Sequence, residues 1–492
     1  MGKALPCNNQ RSFRGLGAVV KLGLLLGLVA YPTGTVMAAA PTTPNFGPNV
    51  LIFTPSMPAA AIEEQIDKVY AIQKDSQFGA ARYALLFAPG EYKLDVPIGY
   101  YTQALGLGAS PDKVHIEGNV HSDATLANNN ATCTFWKTAE GFSVTPAGGT
   151  MQWAVSQAIA LRRMHVRGDL VLHQKGGWAS GGWLSDSLID GTVGSGSQQQ
   201  WVSRNAEWGK WTGSNWNMLF LGVVNPPPGD WPTPPYTKIA QTPVIREKPF
   251  LQVDAAGNYS VLLPELRSNA TGITWRAGST PGKAIPIGKF YIARPNTDTA
   301  ASMNAHLSKG EHLLLTPGIY RLTEPIRVAK ANTIVYGLGL AGVGWTSNTS
   351  ANGLVVNGDN VTAYGLFVEH HQEYQVLWNG NGGRVYFYQS EIPYDPPDQA
   401  SYTSAPGTNG WASYKVADKV TSHEAWGLGV YSVFRNRGVV LTRALEVPKT
   451  PDVKFHSMIT VRLGNNGEIS NVIDNTGGAA QGNARPKVTQ FP

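Results

Sequence analysis

The sequence has little charge and almost no cysteine. Charged residues make up 15% of its 492 positions, and there are 2 cysteines. So few charges exclude a helical bundle, a coiled coil and a disordered chain. The formal net charge of +6 does not mark a nucleic-acid partner either. Lys3, Arg11, Arg14 and Lys21 all precede Leu22, and no acid does. Without them the 39 basic residues exceed the 33 acidic ones by two, too few for an electrostatic footprint. Long apolar runs are also missing, since none reaches the ~18 residues needed to cross a bilayer. A short run, Leu22 to Ala30, follows the basic residues and precedes Val36-Met37-Ala38-Ala39-Ala40. That is the layout of a secretory signal, so residues 1–40 are expected to be a removed signal peptide and the mature protein to be secreted, with no membrane or nucleic-acid partner. Cys7 would leave with it, and Cys133 would have no partner for a disulfide.

Gly and Pro are abundant instead, at 55 and 33 residues, which calls for many short strands and turns. The chain also repeats itself. Leu85-Leu86-Phe87-Ala88-Pro89-Gly90-Glu91-Tyr92 returns as Leu313-Leu314-Leu315-Thr316-Pro317-Gly318-Ile319-Tyr320. Pro97-Ile98 returns as Pro325-Ile326, and Gly106-Leu107-Gly108 as Gly337-Leu338-Gly339. A short amphipathic helix is expected before each copy. The first carries Ile62, Ile66, Val69 and Tyr70 on one face behind Pro58. The second carries Met303 and Leu307, capped by Thr297 and stopped by Gly310.

Short alternating segments then recur about every 20–25 residues with no crossover helices, which suits a β-solenoid. A propeller would repeat every ~40–50 residues, and no such period is present. The expected fold is all-β, with two tandem right-handed parallel β-helix (pectate-lyase-like) units, each capped by its helix. Residues 41–224 form the first unit and 285–492 a second, shortened unit with a C-terminal tail. The Pro-rich stretch 225–284 reads as an extended crossing segment, and a groove is expected between the units.

An L-x-P-G-x-Y opening duplicated along one chain resembles the tandem β-helix exo-β-1,3-glucanases of glycoside hydrolase family 55. Gly427 to Phe434 is similar to a Gly-x-Gly-x-Tyr-Ser-Phe-Phe stretch of that family, and Tyr386 to Gln389 to its Tyr-x-Tyr-Gln strand. Asn379 to Arg384 and His423 to Gly427 resemble motifs of uncharacterised secreted relatives. The resemblance implies a general acid in a Glu-His pair ahead of the Tyr-x-Tyr-Gln strand. Asn381-Gly382-Gly383 stand there instead, so that residue is not carried over. The resemblance also implies further coils between Ala341 and Gly342, and Ala341 to Trp345 is expected to be irregular.

The residues themselves offer carboxylates and aromatics. Hydrolysis of a glycosidic bond needs a protonated carboxyl group and a carboxylate. Glu369, Glu391 and Glu424 are the catalytic candidates. Glu369 and Glu391 are 22 positions apart, about one coil, so they would stack about 4.8 Å apart and push one pKa up. Glu391 is the expected acid, and Glu369 the water-activating base or the nucleophile. Trp378, Tyr388, Gln389, Tyr394, Asp395, Trp411, His423 and Trp426 are the candidate sugar-binding residues, because flat rings meet pyranose C–H faces while amides and acids grip hydroxyls. No metal or cofactor is expected, since the neighbours His370 and His371 would point to opposite faces of a strand. The expected function is a monomeric glycoside hydrolase acting on a β-glucan-like polysaccharide. A polysaccharide lyase and a non-catalytic glycan-binding protein are the alternatives.

Overall fold

The computed structural model describes residues 43–338 and 349–492. The expected signal peptide and the expected irregularity at Ala341 to Trp345 therefore lie outside the described residues.

Burial alternates along short strands, and the strands stack in parallel. Nine strands, from Val50–Phe53 through Tyr83–Phe87, Thr102–Gly106, Lys137–Glu140, Ala160–Arg162, Trp183–Ser185, Gln200–Arg204 and Asn217–Leu221 to Tyr236–Ile239, form one wholly parallel sheet. A second parallel sheet of eight strands faces it, and the two enclose an apolar core that includes Leu85, Phe87, Phe142, Trp153 and Leu184. Farther along the chain, a four-stranded and a five-stranded sheet enclose a separate core around Val376, Tyr388, Tyr414 and Phe455. These sheets are parallel except for the final strand, Lys487–Phe491.

The repeated motif has a structural reason. Tyr92 donates its hydroxyl to Phe53 O at 3.1 Å and Ala88 O at 2.7 Å. Tyr320 does the same to Ala293 O at 2.7 Å and Thr316 O at 3.1 Å. Gly90 lies so close to Pro55 that a Cβ would sit 2.6 Å from it, and Gly318 crowds Pro295 in the same way. Each copy thus ties its own turn to the preceding strand. The helices also form: Ala59–Gln73 buries Ile62, Ile66 and Val69, and Ala300–Lys309 buries Met303 and Leu307. Thr299, not Thr297, caps the second helix, accepting a hydrogen bond from Ser302 N in a capping box.

The copies diverge after the turn. Gly90–Pro97 continues as a strand paired with Val114–His121, whereas 318–325 forms no strand. The stretch 225–284 is more structured than an extended crossing. Tyr236–Ile239 closes the nine-stranded sheet, Thr242–Arg246 pairs antiparallel with Leu266–Ala270, and Tyr259–Pro264 pairs with both Phe250–Val253 and Gly282–Pro286.

The nine-stranded sheet packs on the five-stranded one through Trp183, Leu219, Leu221, Tyr386 and Phe387. A stacked bulge makes this approach possible. Gly365, Phe387, Gly427 and Ser457 all have positive φ and occupy the same break in the pairing register of four neighbouring strands. Trp183 fills the space a side chain at Gly365 would need, and Leu219 lies 2.9 Å from a Cβ built on Gly427.

Candidate active site

The bulge at Phe387 also sets which residues reach the seam. Within Gly383–Glu391, Tyr386 and Phe387 both join the apolar contact with the first stack. Tyr388 then turns into the second core, where its hydroxyl pairs with Ser413 Oγ at 2.7 Å, and the Ser413 hydroxyl donates to Ser390 Oγ at 2.6 Å. Alternation sends Gln389 and Glu391 the other way. Glu391 Oε1 accepts a hydrogen bond of 2.9 Å from Gln157 Nε2 of the first stack, and Tyr394 donates its hydroxyl to Oε2. Gln157 is itself oriented, because its Oε1 accepts from Ser156 and, at 3.5 Å, from Ser180.

Glu369 stands one coil before Glu391. Phe367 pairs with Gln389, and the register runs on through Val368 N to Gln389 O at 3.2 Å and His370 N to Glu391 O at 3.0 Å. One oxygen from each carboxyl group and one ring nitrogen of His370 all lie within 4.8 Å of one another. His370 is there because its φ of 64° places it in a turn, where strand alternation no longer holds. The trio has the ligand types of a cation site, but its electrostatics suit proton sharing. Burial, and then repulsion from Glu369, push Glu391 well above the ordinary carboxyl range, against the pull of the Gln157 hydrogen bond. Burial lifts Glu369 to about 7, opposed by the neighbouring Gln389 amide. Burial drops His370 to about 4, so its imidazole is neutral at neutral pH. Both carboxyl groups therefore hold their protons above the ordinary carboxyl range, and their mutual repulsion opposes ionising both at once.

The other candidates are scattered. Glu424 pairs in register with Arg384, seven residues before Glu391 on the neighbouring strand, which is roughly 20 Å away at strand rise. It faces His456 at 3.5 Å. Trp378 and Tyr388 are wholly buried, and His423 is enclosed beside Tyr414 at 3.0 Å, so none offers a face to a sugar. Trp426 stacks between Tyr386 and His456. Trp411 packs edge-on to Tyr374, half-buried. Tyr394, Asp395 and Gln389 do gather at the carboxylate pair. Asp395 is exposed beside His370, and the Gln389 amide is buried beside Glu369.

Gln157, Ser156 and Ser180 are absent from the sequence-based set. Nothing local to them signals a site, and only the expected groove between units pointed to first-stack residues.

Known proteins resemble this chain over most of its length. An exo-β-1,3-glucanase of Streptomyces sp. (strain SirexAA-E / ActE) is 38% identical over 548 residues, covering 91% of this chain and 90% of the relative. This chain belongs to that exo-β-1,3-glucanase family, glycoside hydrolase family 55. The family model for a LAM55 pectate lyase-like domain matches residues 290–343 and 341–391, the second ending at Glu391. The solved structure of sacteLam55A from Streptomyces sp. SirexAA-E superposes with a TM-score of 0.85 at 38% identity, covering 91% of this chain and 99% of that one. A Glu→Ala variant of sacteLam55A in complex with glucose superposes with a TM-score of 0.86 at 37% identity, covering 92% and 99%. The family 55 fold is thus present over nearly all of the chain.

Proposed function

We propose that this chain is a secreted hydrolase of β-1,3-glucan in which Glu391 is the general acid and Glu369 the base that takes a proton from the attacking water. The observation that carries this reading is the pair itself, two carboxyl groups with oxygens within 4.8 Å of each other, one of them held by Gln157 across the seam of the two stacks, in a member of an exo-β-1,3-glucanase family. A glycan-binding protein would have no use for a buried carboxyl group held protonated beside another. The proton balance is simple. Glu391 gives its proton to the leaving oxygen, Glu369 receives one from water, and the pair exchanges protons with solvent before the next turnover. With Glu369 as the base, water is the nucleophile in this reading.

In the same reading, 41–224 and 285–492 are tandem right-handed β-helical units, each closed by its helix, with 225–284 running between them. The repeated Tyr92 and Tyr320 hydrogen bonds support this pairing. Residues 1–40 direct export, and the mature chain acts as a monomer. Tyr394, Asp395 and Gln389 grip the sugar beside the reacting bond.

The test is a screen of the purified chain on laminarin, other glucans and pectin. Reducing sugar released from laminarin is the expected result. Release of unsaturated, ultraviolet-absorbing products from pectin would instead establish a lyase, and no product from any polymer would leave only binding.

A further inference from the structure

Among the described residues, the second stack is interrupted next to the carboxylate pair. The 548-residue alignment with the glucanase relative is longer than this 492-residue chain, so the relative carries residues that this chain lacks. The family model matches in two adjoining pieces that meet at 341–343. The strand pattern breaks at the same place. Among the described residues, Val335–Gly337 pairs only with His312–Leu315, and Leu354–Val356 only with Val376–Trp378. Thr362–Phe367, which leads to Glu369, is the outermost strand of the five-stranded sheet, and all six of its residues are partly exposed.

Contacts with the first stack locate the break. Leu105 and Leu107 pack with Leu314 and Leu338 on one side, and Trp183 packs on Gly365 on the other. The intervening strands, Lys137–Glu140 and Ala160–Arg162, face the gap. At their far ends the 225–284 segment fills it, through Lys248 on Glu140 at 2.6 Å and Arg163 over the Phe250 ring at 3.3 Å. At the near end, beside the site, the rings are uncovered. Trp136 is half-buried, stacked on Tyr101 at 4.8 Å and edge-on to Phe78 at 6.4 Å. Phe78 is 85% exposed. Ser156 donates to Thr134 O and, through its hydroxyl, to Thr132 O, both at 2.9 Å, so Trp136 stands on the coil next to the one whose Gln157 meets Glu391.

An enzyme confined to chain ends needs a wall that stops the polymer just past the cleaved sugar. Building on the hydrolase reading above, we propose that the missing coils remove that wall, and that Phe78 and Trp136 form an added glucan subsite in the opening. The polymer then passes through the cleft, and water adds across internal C1–O bonds as well as terminal ones. Exposed ring faces suit pyranose C–H faces.

The test uses the full chain on laminarin, with product sizes followed by chromatography from the first few per cent of reaction. Oligosaccharides of several units are expected before glucose dominates. In the Phe78→Ala/Trp136→Ala double variant, kcat/KM on polymer should drop about tenfold, the loss of roughly 1.4 kcal/mol of binding, with hydrolysis of laminaritriose within about twofold of the parent. Glucose as the sole early product would overturn the open cleft while leaving the hydrolase reading intact, and so would a double variant equally active on polymer. No hydrolysis of any glucan would overturn both. If the double variant fails to fold, the product profile of the parent chain alone decides.

Discussion

Gln157 and Glu391 lie 234 positions apart in the chain, yet the amide of the first donates to the carboxyl group of the second at 2.9 Å. The carboxylate pair belongs to the second stack, while the group that orients its acid belongs to the first. The chemistry therefore depends on how the two stacks are held together, and the apolar seam around Trp183, Leu219, Tyr386 and Phe387 is as much a part of the site as the carboxyl groups.

Glu391→Gln should lower kcat on laminarin by about 10²–10⁴-fold, the usual worth of a general acid, while KM changes little. The amide keeps the shape and can still pair with Gln157 but has no proton to give. Steady-state kinetics on the variant would decide it. A rate near that of the parent would move the acid elsewhere.

Gln157→Ala tests positioning. The Gln157 hydrogen bond favours the ionised form of Glu391, so its loss should raise the acid's pKa further. The alkaline limb of the kcat/KM profile should move to higher pH while kcat falls, and Gln157→Asn should restore neither, because its amide is one methylene too short. A lower rate with an unmoved limb would make Gln157 a packing residue only.

Much of this was legible in the chain. The 22-residue interval between Glu369 and Glu391 is the coil repeat, and it places their oxygens within 4.8 Å. The Pro-Gly-x-Tyr repeat marks two turns tied down by the same tyrosine hydrogen bonds. The aromatics were harder to read, because strand alternation predicts a side chain's face only while the strand stays regular. The bulge at Phe387 puts Tyr388 inside, and the positive φ at His370 puts that ring beside the carboxyl groups. Gln157 was out of reach for another reason: no periodicity within one strand reports on a contact between separate stacks.

The carboxylate pair should cost stability near neutral pH. Free glutamates ionise at about 4.3, whereas both of these hold their protons to higher pH in the fold. A carboxyl group with a raised folded pKa leaves stability intact below the unfolded value and removes it as pH rises toward the folded one. Relative to the parent, Glu391→Gln should therefore be little changed in melting temperature at pH 4 and clearly more stable at pH 7. Equal melting temperatures at both pH values would mean that Glu391 ionises freely in the folded protein.

The opposite edge of the seam rests on a different pair. Arg204 and Glu247 are 2% and 4% exposed and meet through two hydrogen bonds of 2.5 and 2.6 Å. The Arg204 guanidinium also lies 5.7 Å from the Tyr364 ring of the second stack, and Tyr364 donates its hydroxyl to Val244 O. One ion pair thus links the first stack, the 225–284 segment and the second stack. Removing one partner strands a buried charge, which costs about 3–5 kcal/mol, whereas replacing both by apolar residues of similar volume is often neutral. Glu247→Ala should lower stability by that amount in urea melts, and Arg204→Met/Glu247→Leu should recover most of it. Asp186 sharpens the test. Burial and then repulsion from Glu247 raise it to about 7. Once Glu247 is gone, Asp186 can ionise at lower pH and offset part of the Arg204 charge. The loss in Glu247→Ala should accordingly be smaller at pH 8 than at pH 5. A loss independent of pH would leave Asp186 with no share in neutralising Arg204.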